Sequence, residues 1–182
     1  MRKIAYLILL LLSLSLSSCS DDSKTELSVV DAQQAYNDLR GTYVGNVMDE
    51  NVPTSVAITI GQEFTVRNLP VTPMLKHFFK DADLSAAVAS VRPGNFVAPT
   101  LSMSIVADQL YLLMEPTDWT IPVTVGGKTY QMNALMSAAV LYSNTYKTVS
   151  MNLEVTELSC DGKVVDLSSN RITYFVDSAI KQ

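Results

Sequence analysis

Histidine is nearly missing from this chain of 182 residues, because His77 is its only example. This scarcity excludes zinc sites that use several histidines, and we also expect no Ser-His-Asp catalysis. His77 lies in the stretch LKHFFK, where we interpret it as a residue on the surface of a helix.

Basic residues and glycine motifs are also scarce. The chain has 13 lysines and arginines against 18 acids, which gives a net charge of -5, and its basic residues form no stripe. We therefore expect no nucleic-acid partner. The seven glycines form no phosphate-binding motif, and KDADLS lacks the glycine and the distal glutamate of a calcium loop. Neither a metal nor a cofactor is predicted.

The one long apolar run is too short for a transmembrane helix. Ile4–Leu16 has 13 residues, whereas a spanning helix needs about 20, so the run is typical of a secretory signal peptide over residues 1–18. It ends in Leu16-Ser17-Ser18-Cys19, which resembles the lipobox of bacterial lipoproteins. The resemblance implies cleavage between Ser18 and Cys19 and attachment of fatty acyl chains such as palmitate at Cys19. An uncut N-terminal anchor with an incidental cysteine is the alternative.

The residues after this cysteine resemble a sorting signal. Ser20-Asp21-Asp22 is similar to the acidic export signal of Bacteroidetes lipoproteins that reach the cell surface. The resemblance implies an outer-membrane lipoprotein, held to the membrane through lipidated Cys19 and displayed at the surface rather than on the periplasmic face. The alternative is that residues 19–28 form only a flexible acidic tether, which their composition favours.

Cysteine is the other scarce reactive residue, with two examples in the chain. If Cys19 carries lipid, Cys160 has no partner, and no internal disulfide is predicted. Cys160 lies beside a turn in LSCDGK, with no histidine nearby in sequence, so we interpret it as a structural residue.

Helical spacing of apolar residues occurs in two places. Val29–Leu39 predicts an N-terminal helix. A second helical segment is predicted around residues 73–91, with Thr72 as N-cap and Pro73 at the first helical position. Within it, another helix is expected to start near Asp83.

Most of the chain alternates between apolar and polar residues and predicts about nine strands, most clearly in Val149–Thr156. Gly126-Gly127 is the turn of a predicted hairpin, and the phase slips at Glu157-Leu158, which indicates a β-bulge. Pro116 is expected to end a strand. Ala134–Tyr142 suits either a buried helix or a strand.

The predicted fold class is α+β and β-rich. Strands in sequence with tight turns favour an antiparallel meander, closed as a barrel or packed as a sandwich, with a lipocalin-like barrel as the leading interpretation. Residues 29–182 are predicted to form a single domain, in which the inserted helical segment covers an open end.

Three aromatic residues and one serine are candidates for a site. Trp119, Tyr111 and Tyr130 are predicted to face a ligand, although aromatic residues in strands also serve in cores. Asp177-Ser178-Ala179 resembles the short O-glycosylation motif of Bacteroidetes exported proteins, which makes Ser178 the candidate attachment site.

The start of the predicted domain resembles a known family. The stretch AYNDLRGTYVGNV, Ala35–Val47, is similar to the domain-of-unknown-function family 4840. That family implies no catalytic residues that can be transferred to this chain.

Three functional hypotheses follow. The first is a lipid-anchored, non-enzymatic module that binds an apolar small molecule or a glycan. The second is an adhesion or assembly protein that uses a sheet edge or the Met74–Phe79 face, with an unknown protein partner. The third and weakest is an enzyme that uses paired carboxylates such as Asp49-Glu50 or Asp81-Ala82-Asp83.

Overall fold

The fold is described by a computed structural model that covers residues 29–49, 51–91, 94–99, 102–106, 109–143 and 145–182. The predicted signal peptide (1–18) and tether (19–28), with the lipidation and export signals on residues 18–22, lie outside the described residues. Within the described part, no helix is long and apolar enough to cross a membrane.

The described part contains three helices and ten strands. The helices are α1 (Val29–Leu39), α2 (Thr72–Leu75) and α3 (Asp81–Ser90). The strands are β1 (Gly41–Asp49), β2 (Val52–Ile60), β3 (Phe64–Leu69), β4 (Gly94–Ala98), β5 (Ser102–Val106), β6 (Gln109–Val125), β7 (Lys128–Ser143), β8 (Thr148–Cys160), β9 (Lys163–Val165) and β10 (Ile172–Lys181).

All ten strands pair antiparallel in one sheet, in the order β4-β3-β2-β1-β10-β8-β7-β6-β5, with β9 beside β8. Two meanders, β1 to β4 and β5 to β8, are therefore joined through the C-terminal strand β10. The sheet curls into a half-barrel, and β4 approaches β6 without a described ladder between them. The predicted β-rich antiparallel fold class is confirmed, and the curled sheet is consistent with a barrel or sandwich. Strand β10 departs from the chain order of a meander, because it pairs between β1 and β8.

Alternation along the strands produces a packed inner face. In β7 every second residue from Met132 to Tyr142 is buried, so the ambiguous Ala134–Tyr142 segment is a strand. Large side chains occupy the inner face of the described part of the sheet. The fully buried side chains include Tyr43, Tyr174, Phe64 and Phe96.

Two bulges set the phase of the long strands. Between β7 and β8 the register passes from Leu135–Glu157 to Met136–Val155, which leaves Thr156 as the extra residue, next to the predicted slip. The prediction that Pro116 ends a strand is wrong. Pro116 lies in a bulge between Met114 and Thr117, where it needs no ladder hydrogen bond, and β6 continues for nine residues beyond it, to Val125.

Helix α1 covers one end of the half-barrel. The Tyr43 hydroxyl of β1 donates to the Leu39 carbonyl at 2.7 Å, and the Lys181 ammonium of β10 donates to the Asp38 carbonyl at 2.6 Å. Both acceptors lie in the last turn of the helix, where carbonyls lack intrahelical partners. The predicted N-terminal helix is thus confirmed, and the sheet itself caps its C-terminus.

The α2–α3 segment covers the opposite end. Tyr174 of β10 donates its hydroxyl to the Pro70 carbonyl at 2.8 Å, just before α2. The prediction of Thr72 as N-cap is wrong, since Val71 occupies that position and Thr72 is helical. Helix α3 begins at Asp81 rather than near Asp83.

His77 is not on a helix, because it lies in the turn after α2. Its ring is half-buried, and its Nε2 is buried with no hydrogen-bond partner among the described residues. Burial, with the nearby Lys76 ammonium, lowers the pKa of His77 below its usual value. The imidazole is therefore neutral at pH 7.

Candidate functional site

The structure separates the three candidate aromatic residues. Trp119 pairs with the buried Ala134 and Tyr130 pairs with the buried Val123, so both lie on the inner-face register of the hairpin. Tyr111 pairs with Leu141 on the outer-face register, and its hydroxyl donates to Gln109 at 2.9 Å. The structure therefore does not bring Tyr111 together with the other two.

Trp119 fills the opening of the half-barrel. We call this opening, between β4 and residues 117–125 of β6, the seam. The Trp119 and Phe96 rings meet edge to face with centroids 5.8 Å apart, and the indole also packs on Gly94, which has no side chain to displace it. The seam is thus closed by aromatic packing instead of by a strand ladder.

A cavity of about 380 Å³ lies beside this indole. Its lining, which we call the seam groove, comes from the end of α3, the start of β4 and the second half of β6. The lining residues are Ser90, Val91, Gly94, Trp119, Thr120, Ile121 and Pro122. The groove combines one aromatic ring with aliphatic walls and a few neutral polar groups, and none of these residues is ionisable.

The backbone of β6 also faces the seam. The Thr124 N–H donates to Ser90 Oγ at 2.9 Å, so it points away from β7. Backbone groups alternate in direction along an antiparallel strand, so every second residue points the same way. The backbone groups of Thr120 and Pro122 therefore also point to the seam. Thr120 presents an N–H and a carbonyl to the groove, whereas Pro122 lacks the N–H that an added strand would need.

Tyr130 lies in a different environment from Trp119. Its ring meets Phe79 edge to face, with centroids 5.3 Å apart, and the Lys128 ammonium lies 4.3 Å from the ring centroid. Tyr130 therefore packs β7 against the segment between α2 and α3, and it does not line the seam groove.

The remaining sequence candidates are dispersed. Ser178 is exposed within the irregular stretch of β10 between Val176 and Ala179, where a modifying enzyme has access to it. Cys160 is buried at the end of β8, and burial raises the pKa of its thiol, with Asp161 adding to the effect. The thiol is protonated at neutral pH, as a structural cysteine would be.

The acidic candidates Asp49, Asp81 and Asp83 lie on two elements, at the end of β1 and at the start of α3. Asp81 and Asp83 are exposed in the first turn of α3, and no group of three or more His, Cys, Asp or Glu side chains that could hold a metal occurs among the residues described. Asp49 lines a separate cavity, which is considered below.

Six of the seven described lining residues of the seam groove escaped the sequence prediction, which named Trp119 alone. Gly94 follows Arg92-Pro93 and has the appearance of a loop residue, although it begins β4. Pro122 interrupts the strand pattern TIPVTV, and a proline in such a position does signal an exposed strand edge. That signal locates the edge but not the strand across the seam.

A family model described as Domain of unknown function (DUF4840) matches residues 38–160. The matched range extends from the last turn of α1 to the end of β8. No curated protein and no solved structure matches the chain. The resemblance inferred from Ala35–Val47 is thus confirmed. Because the match covers more than half of the 182 residues, the chain belongs to the DUF4840 family.

Proposed function

We propose that the protein is a lipid-anchored binding module that holds a small apolar molecule or a glycan in the seam groove and catalyses no reaction. The observation that carries this proposal is the cavity of about 380 Å³ beside the half-buried Trp119. Its size falls in the range of small-molecule sites, which are typically apolar with a few polar groups that fix orientation.

The chemistry of the groove favours a neutral ligand with a flat or apolar face. An indole ring provides a large apolar surface at a small cost in conformational entropy. The Thr120 backbone supplies one donor and one acceptor. The described lining residues carry no acid, base or thiol, which favours binding over catalysis at this site.

The anchoring part of the proposal rests on the sequence. Leu16-Ser17-Ser18-Cys19 supports lipidation at Cys19, and Ser20-Asp21-Asp22 supports display on the surface of the outer membrane. A single acyl chain binds membranes only marginally, whereas two or three chains on one cysteine hold a protein stably. The groove would then be held at the membrane and exposed to molecules outside the cell.

The adhesion alternative receives less support. Met74, Leu75 and Phe79 are buried, so the helical face that it required is turned into the core. At the edge of β6, Pro122 hinders the addition of a strand. These two features disfavour the helical face and the β6 edge as docking surfaces, whereas β4 and β5 are the terminal strands of the sheet.

Ligand binding is tested through Trp119, which is the only tryptophan of the chain. The protein is titrated with neutral disaccharides and with small apolar aromatic compounds. We expect compounds of one of these two classes to change the Trp119 fluorescence. Calorimetry with that ligand should then show about tenfold weaker binding to Trp119→Phe, and unchanged binding to the control Phe175→Leu, whose side chain is exposed on the outer face. The proposal fails if neither class alters the emission, or if Trp119→Phe binds as wild type does.

Anchoring is tested separately with Cys19→Ala in whole cells. We expect the variant to leave the membrane fraction and to lose metabolic labelling by a palmitate analogue, because the acyl chains supply the membrane affinity. Cys160→Ala is the matched control and should stay lipidated. A Cys19→Ala protein that remains membrane-bound with unchanged processing would contradict the lipoprotein proposal, and protease treatment of intact wild-type cells would test surface display.

A further inference from the structure

A second cavity, of about 200 Å³, lies at the end of the half-barrel that α2 and α3 cover. It differs from the seam groove in containing an ionisable side chain. Its polar lining consists of Asp49, Thr54, Asn68 and Thr72, and its apolar lining consists of Pro70, Val71, Val88 and Val91. We refer to it as the Asp49 cavity.

Asp49 is the last residue of β1 and faces Val52 across the tight β1–β2 turn. One of its carboxylate oxygens, Oδ1, is buried and has no hydrogen-bond partner among the described residues. Buried polar atoms are nearly always paired, and an unpaired buried anion is costlier than an unpaired neutral group. No described residue therefore donates to this oxygen, and Asp49 also lines the cavity.

The Tyr174 hydroxyl does not donate to Asp49. Burial, and secondarily the charge of Asp49, raises the pKa of Tyr174, so this phenol stays protonated. Its single proton is donated to the Pro70 carbonyl at 2.8 Å. No lysine, arginine or histidine belongs to the described lining of the cavity, so Asp49 is the one charged side chain among those described lining residues.

The other lining residues narrow the chemistry of an occupant. Thr54, Asn68 and Thr72 add neutral groups that can accept hydrogen bonds. Val71, Val88 and Val91 provide an aliphatic wall, which cannot ligate a metal ion. Calcium takes six to eight oxygen ligands, whereas the described lining side chains carry five, namely two on Asp49, two threonine hydroxyls and the Asn68 amide oxygen. An occupant with a cationic donor at one end and a short hydrocarbon body satisfies both parts of the lining.

We propose that the Asp49 cavity binds a small organic ammonium ion. Its N–H groups donate to the Asp49 carboxylate and to neighbouring neutral oxygens, while its hydrocarbon part lies against Val71, Val88 and Val91. The site is distinct from the seam groove in ligand charge and in the residues that define it, although Val91 borders both cavities. It goes beyond the function proposed above and does not depend on it.

Calorimetry on the full chain tests this site, with butylammonium as the probe and 1-butanol as its uncharged counterpart. Wild type should bind butylammonium at least tenfold more tightly than 1-butanol. Asp49→Asn keeps the shape of the side chain and removes its charge, so it should weaken butylammonium binding at least tenfold. The control Asp118→Asn makes the same change at an exposed carboxylate outside the cavity and should bind as wild type does.

The alternatives give different results. Equal binding of butylammonium and 1-butanol, or no binding of butylammonium, overturns the proposal without any variant. Binding of Ca²⁺ with no butylammonium binding would identify a metal site instead. Unchanged binding to Asp49→Asn would place the ammonium elsewhere. If Asp49→Asn does not fold, Thr54→Val provides a second test, because loss of one neutral oxygen in this cavity should also weaken butylammonium binding.

Discussion

Gly94→Ala is expected to destabilise the protein by about 1–3 kcal/mol and to loosen the seam, because it places an extra atom in a filled space. A Cβ at this position would press on Cζ2 of Trp119 and lie 2.6 Å from Cη2. The indole ring is rigid, and it also packs edge to face on Phe96. Relief therefore requires β4 or the indole to move outward.

Urea unfolding of wild type and variant measures the stability change, and the emission of the single tryptophan reports the seam directly. We expect the Gly94→Ala emission to shift to longer wavelength as the indole becomes more exposed to water. Gly61→Ala is the matched control, because the nearest atom to its added Cβ, apart from its chain neighbours, is 3.9 Å away, and it should change stability by less than about 1 kcal/mol. Equal stability and equal emission of the two variants would show that Trp119 does not close the seam.

The Gly94→Ala variant also distinguishes ligand binding in the seam groove from ligand binding in the Asp49 cavity. If Gly94→Ala loosens the seam, it should reduce ligand affinity along with stability, since the groove is built on Trp119. The Asp49 cavity has Asp49, Thr54 and Asn68 on its strand side and includes neither Gly94 nor Trp119. Butylammonium binding should therefore change little in a Gly94→Ala protein that remains folded.

Local periodicity was sufficient to predict most strands, and the reason is visible in β8. Every second residue of this strand is buried, namely Val149, Met151, Leu153 and Val155, and the residues between them are at least partly exposed. The two-residue alternation of the sequence therefore matches the alternation of side chains across a pleated strand. Ala134–Tyr142 was ambiguous because Ala139 and Leu141 put apolar residues on its outer face as well. Pairing with both β6 and β8 makes this segment a strand, and pairing between distant segments is not encoded in local spacing.

The site was harder to predict because a bulge changes which residues face inward. Before the bulge at Glu115–Pro116, Leu112 and Met114 are buried, and Tyr111 takes the outer register. After the bulge the alternation reverses, so Trp119 faces inward. Tyr111 and Trp119 are an even number of positions apart, and an unbroken strand would have placed them on the same face. An extra residue exchanges the two faces of a strand.

The position of β10 could not be derived from the sequence either. Local turns predict neighbours in chain order, yet β10 lies between β1 and β8, and six other strands separate β1 from β8 in the sequence. The match to the family model ends at Cys160 and does not include β10. In this structure, however, β10 is the strand that joins the two meanders, so contacts across β1 and β10 should be important for stability.

Gly45 provides a direct test of that junction. A Cβ on Gly45 would lie 2.5 Å from Val176 Cγ1 and 3.0 Å from the Ala179 Cβ. Both neighbours are short and belong to β10, and valine is stiff about its first side-chain torsion, so the contact cannot be relieved by a rotamer change alone. We expect Gly45→Ala to cost about 1–3 kcal/mol and Gly45→Val to cost more, measured by urea unfolding.

A compensating change shows whether this cost arises at the junction. Val176→Ala removes the closest atom, so in the double variant Gly45→Ala/Val176→Ala the two changes should not add, and the coupling should be favourable by about 1 kcal/mol or more. Val155→Ala, a buried valine of β8 not among the atoms nearest a Gly45 Cβ, should add independently to Gly45→Ala. Strict additivity with Val176→Ala, or a Gly45→Ala protein as stable as Gly61→Ala, would mean that β1 and β10 are not packed closely enough for the junction to hold the two meanders together.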